Sequence, residues 1–66
     1  MKYSQMLKEL RDKLFLTQTE LAQLLGVSYT TVCRWETGVS EPRMKNRKQI
    51  VELCKTNNIE DYAESV

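Results

Sequence analysis

An all-α fold, a compact bundle of four to five short helices, is predicted by three features of this chain. Apolar residues recur at three- and four-residue intervals, the stripe of amphipathic helices. Two Gly and one Pro in 66 residues are too few for a string of short strands and tight turns. The stretch from Gln18 to Glu36, QTELAQLLGVSYTTVCRWE, reads as two short helices hinged at one glycine. A chain of this length makes one thin core, so it is expected to be a single domain over 1–66 with no room for a catalytic domain beside it.

Tyr3, Met6, Leu7, Leu10 and Leu14 form one face of helix 1, expected from Tyr3 to Phe15, with Lys8, Glu9, Asp12 and Lys13 on the other. Thr17 followed by Glu20 makes a capping box for helix 2, flanked by Leu16 and Leu21 as a hydrophobic staple. Helix 2 is expected from Gln18 to Leu25, stopped by Gly26, which reaches a positive φ cheaply. Ser28 caps helix 3, with Val27 and Val32 as a second staple, and the helix runs from Tyr29 to about Glu36 and ends near Gly38. Pro42 holds the following link extended, and helix 4 is expected over about 43–55. Its apolar positions are Met44, Ile50, Val51 and Cys54, but Arg47 stands where an aliphatic contact belongs, which predicts a helix that is rotated, shortened or frayed there. Asn57 and Asn58 mark a turn before a short C-terminal segment, 59–66.

On a helical wheel, Ser28, Thr31, Val32 and Trp35 share one side of helix 3, and Tyr29, Thr30, Cys33, Arg34 and Thr37 the other. Val32 and Trp35 belong in a core, so the opposite face looks at solvent or a partner. That face carries hydrogen-bond donors and acceptors, an aromatic ring and one Arg, whose planar fork suits guanine O6 and N7. Ser28, Gln18 and Thr37 are placed for phosphates instead, contacts that fix register without reading sequence. Ala22 and Gly26 supply the space that lets two helices cross steeply over so short a turn.

These residues resemble the helix-turn-helix of the phage repressor and Cro family, also called the XRE family. The resemblance runs through Gln18, Ala22, Gly26, Val32, Trp35, Glu36, Gly38 and Pro42, and covers roughly Leu7 to Cys54. It implies that the unit at 17–37 binds double-stranded DNA with helix 3 in the major groove. Tyr29, Thr30, Cys33 and Arg34 would then read bases, and Gln18, Ser28, Thr37 and Arg43 would touch phosphates. It also implies a pair between Arg11 on helix 1 and Glu36 at the end of helix 3, and a repressor-like regulator working as a dimer. The expected surface for pairing is Ile59, Tyr62 and Val66, apolar residues at the end of the chain.

The remaining composition narrows the function classes. With no His, no glycine-rich phosphate loop and no nucleophile beside a base, the chain lacks the parts of an enzyme. Cys33 and Cys54 have neither C-x-x-C spacing nor His partners, so no metal, cofactor or small-molecule ligand is expected and both are read as reduced thiols. The net charge is only +1, but Arg43, Lys45, Arg47 and Lys48 gather in the middle while Glu60, Asp61 and Glu64 lie at the end. No apolar run approaches the ~20 residues of a membrane span, and no leader precedes the first helix, so a cytoplasmic protein is expected, of prokaryotic or phage type as the resemblance implies. Two other readings use the same fold. One is a protein-interaction module of antirepressor or antitoxin type, and the other is the DNA-targeting arm of a larger modification system, although a start at Met1 favours a complete small protein.

Overall fold

Local signals set most of the helix ends, and the computed structural model, which describes residues 2–59, shows four helices. They are α1 (Tyr3–Leu14), α2 (Gln18–Leu25), α3 (Tyr29–Thr37) and α4 (Met44–Thr56), with no strand among the described residues. At the start of α2 both halves of the capping box are present. Thr17 Oγ1 accepts from the Glu20 N–H at 3.1 Å, and the Thr17 N–H donates to Glu20 Oε1 at 2.8 Å. Ser28 Oγ accepts from the Thr31 N–H at 3.1 Å and opens α3 in the same way.

All four helices end alike. A residue with positive φ (Phe15, Gly26, Gly38 or Asn58) is followed by an aliphatic residue whose N–H reaches back five positions. The bonds are Leu16 to Arg11 O, Val27 to Ala22 O, Val39 to Arg34 O and Ile59 to Cys54 O, at 2.9–3.0 Å, the hydrogen bond that defines a Schellman turn. Each turn thereby satisfies carbonyls that the last helical turn leaves open. At α1 the left-handed position falls on Phe15 (φ 56°), so the helix stops at Leu14, one residue short of expectation. Reversal there turns Leu16 back against the core and leaves the Phe15 ring 93% exposed.

The core is one cluster: Met6, Leu7 and Leu10 from α1, Leu21, Ala22 and Leu25 from α2, Val32 and Trp35 from α3, Ile50 and Cys54 from α4, closed by Ile59. Pro42 is buried with them, which anchors the link between α3 and α4. Ala22 is buried, but nothing lies within 4 Å of where a Cβ on Gly26 would stand, so that glycine serves the positive φ of the turn (71°) and not, as expected, a close approach of the two helices.

The last third departs from expectation in two ways. Arg47 neither frays nor shortens α4: its backbone N–H bonds Arg43 O at 2.8 Å and the helix runs on to Thr56. The side chain is accommodated because Nε donates to Pro42 O at 2.7 Å and the guanidinium lies over the Tyr3 ring, 5.4 Å from its centroid. Met44, expected to be a core position, is exposed in the first turn of α4, while Leu53 packs against the core instead. Ile59, expected on a pairing surface, is only 7% exposed and belongs to the chain's own core. Tyr62 and Val66, the other residues of that surface, lie outside the described residues, as does any helix beyond Ile59.

Candidate nucleic-acid interface

The α3 helix has an inner and an outer face as the wheel requires, except that Ser28, assigned to the inner side, is exposed and Glu36, assigned to neither, is buried. Val32, Trp35 (5% exposed) and Glu36 point inward, whereas Tyr29, Thr30, Arg34 and Thr37 are exposed. Among the described residues no hydrogen bond or ion pair holds the Arg34 guanidinium, so its donors remain open to a ligand. Cys33 stands apart from the other three expected base readers, because it is only partly exposed.

Behind this face lies a chain of polar bonds joining three helices. Glu36, 4% exposed, is a buried carboxylate, a costly arrangement unless its oxygens are bonded. Arg11 donates from Nε to Oε2 at 2.7 Å and from Nη2 to Oε1 at 2.9 Å, a two-point grip, and Gln18 Nε2 adds a third donor to Oε1 at 3.0 Å. Arg11 also reaches Leu16 O at 3.5 Å, just before α2. Burial pushes the Glu36 carboxyl up, but the bonds from Arg11 and Gln18 and the charges of Arg11 and Lys8 outweigh it, and the group sits below its ordinary 4.5. The same hydrogen bond to Glu36 raises Arg11. The expected Arg11–Glu36 pair is therefore present.

Gln18 has a place in this chain that the sequence did not disclose. Its Oε1 accepts from the Cys33 thiol at 3.5 Å while its Nε2 donates to Glu36. The only signal for it was angular: Cys33 stands roughly 60° round the wheel from Glu36, close enough to share a neighbour across the helix pair. The phenol of Tyr29, one turn before Cys33, is raised by its interaction with the Cys33 thiol. Cys54 is a different kind of thiol, pushed up to about 11 by burial in the core, and both cysteines are free.

The residues expected at phosphates are not equally open. Ser28 Oγ caps α3 and shares a hydrogen bond with Thr31 Oγ1 at 2.8 Å. Thr37 Oγ1 donates to Cys33 O at 2.9 Å, so a phosphate would have to displace that bond. Arg43, the residue preceding α4, is exposed, and no side-chain bond among the described residues engages it. Lys45 and Lys48 are exposed beside it, whereas Arg47 is drawn inward by Pro42 and leaves the basic cluster. No group of three or more His, Cys, Asp or Glu that could hold a metal ion occurs among the described residues.

Comparison with known proteins sets the chain among helix-turn-helix proteins. Residues 7–57 match the family model described as helix-turn-helix. The chain is 40% identical over 50 residues to the HTH-type transcriptional activator BcrR of Enterococcus faecalis, an alignment covering 76% of this chain and 24% of that protein. The chain thus spans about a quarter of the length of its relative. No solved structure matches it.

Proposed function

The chain belongs to the helix-turn-helix family of the repressor and Cro (XRE) type, a DNA-binding family of transcription regulators, and on that premise we propose that α3 reads duplex DNA from the major groove. One observation carries this reading: Arg34, without a side-chain bond among the described residues, projects from the face opposite buried Val32 and Trp35, flanked by exposed Tyr29 and Thr30. Arg34 is the guanine reader, through two parallel N–H donors to O6 and N7. Tyr29 and Thr30 meet a neighbouring thymine methyl or base acceptor. Arg43 supplies a cationic phosphate contact, and Gln18 a neutral one from the amide hydrogen that Glu36 does not use.

Nothing in this set resembles catalytic machinery, and the proposed role is regulation through binding alone, on DNA in the cytoplasm. No helix of the described residues is long and apolar enough to cross a membrane. Two copies on a two-fold-related site would place their α3 helices about 34–36 Å apart, one turn of duplex. Selection of bound sites from random duplex DNA tests the whole reading, since it returns a motif, its symmetry and its spacing together. A motif with a guanine at a fixed place is the expected result. Enrichment of none would reject DNA reading in favour of a protein partner for the same face.

A further inference from the structure

We propose that Cys33 is a positioning residue: its thiol holds the Gln18 side-chain amide in the orientation that offers a DNA phosphate its free N–H, and it does not itself read a base. This rests on the DNA reading above and departs from it at one residue.

A glutamine amide at a helix start can be turned either way, and the two ways differ by exchange of an acceptor for a donor. Here two partners select one of them. Glu36 Oε1, an acceptor, takes Nε2 at 3.0 Å, and the Cys33 thiol, a donor, takes Oε1 at 3.5 Å. The reversed amide would set oxygen against the carboxylate, which is held ionised by Arg11. With Oε1 and one Nε2 hydrogen held from inside the protein, the second Nε2 hydrogen has no partner among the described residues. One bond would leave the amide free to swing about that contact, whereas two fix its plane. Cys33 is partly exposed, unlike Thr30 and Arg34, which fits a side chain facing α2 more than the groove.

The test is a double-substitution cycle on duplexes selected by the parent protein, with folding followed by circular dichroism. Cys33→Ala is expected to weaken every duplex alike, by about two- to fivefold, the worth of one weak hydrogen bond, with base preference unchanged. In a Gln18→Ala background the same substitution should change affinity hardly at all, because the group it orients is gone. Cys33→Ser, which keeps a donor at the same place, should recover most of the loss. Additive losses from Cys33→Ala and Gln18→Ala, a shifted preference at one base pair, or a serine variant as weak as alanine would each overturn the positioning role. Failure of the parent to bind any duplex would instead reject the DNA reading and this role with it.

Discussion

The Arg11 guanidinium grips the Glu36 carboxylate edge-on, Nε to Oε2 at 2.7 Å and Nη2 to Oε1 at 2.9 Å, and so ties α1 to the last turn of the helix proposed to enter DNA. The partners differ in exposure: Glu36 is buried, while Arg11 keeps part of its surface in solvent. Removing the arginine would therefore leave a buried carboxylate with Gln18 as its remaining donor. Arg11→Ala is expected to destabilise the fold by about 3 kcal/mol, the lower end for a broken buried pair because water reaches this one from the arginine side. Urea unfolding of parent and variant measures it.

The pair also makes stability depend on pH in one direction. Glu36 is lowered by the fold, so the unfolded chain takes up a proton first as acid is added, near the ordinary 4.5. Its contribution is complete above that value and is lost as the pH falls through the lower, folded value. Urea midpoints measured from about pH 5 to about pH 3 should fall more steeply for the parent than for Glu36→Gln, which has no such proton to gain. Equal slopes would mean that Glu36 does not carry the acid sensitivity.

Phe15 occupies a backbone region where a side chain costs about 1–2 kcal/mol, yet its ring makes almost no compensating contact. Glycine at that place removes the strain and loses little packing, at the expense of a more flexible unfolded chain. Phe15→Gly is accordingly expected to stabilise by about 0.5–1 kcal/mol, seen as a higher melting temperature. A lower one would mean that the exposed ring packs in solution.

The difference between Phe15 and the other helix ends explains what was legible in the sequence. Thr17 with Glu20, Ser28, Gly26 and Gly38 act within a few residues of themselves, so their roles could be read directly from spacing. The inward turn of Val32 and Trp35 followed from helical period alone. Phe15 carries no local sign of positive φ, and its conformation comes from the need to turn Leu16 back onto the core. The internal partners of Arg47 and Gln18 were not legible for a related reason. Their partners, Tyr3 across the bundle for one and Cys33 and Glu36 on the next helix for the other, are set by tertiary packing that no window of sequence displays.

Arg34 is the side chain on which sequence preference should depend. Arg34→Ala is expected to cost about 1–3 kcal/mol on the selected site and much less on duplexes altered at the guanine it contacts, so that preference at that base pair flattens. Thermal stability should barely change, since the side chain is exposed and no bond within the described residues holds it. Competition binding with duplexes varied at single positions reads both effects, and a preserved preference would remove Arg34 from the reading face.

Arg43 and Arg47 offer an internal contrast, being two arginines four positions apart with opposite expected behaviour. Arg43 is exposed at the start of α4 with its charge unengaged among the described residues, whereas Arg47 is held by Pro42 O and stacked on Tyr3. A cation that neutralises one phosphate contributes about 0.9 to the slope of log affinity against log salt. Arg43→Ala should lower that slope by about this much and leave the fold unaffected. Arg47→Ala should instead leave the slope nearly unchanged while destabilising the protein by about 1–2 kcal/mol, through the lost bond to Pro42 and the lost ring contact. Salt titrations of DNA binding alongside urea unfolding of both variants separate the two roles. A reduced slope for Arg47→Ala would show that its guanidinium leaves Pro42 when DNA arrives.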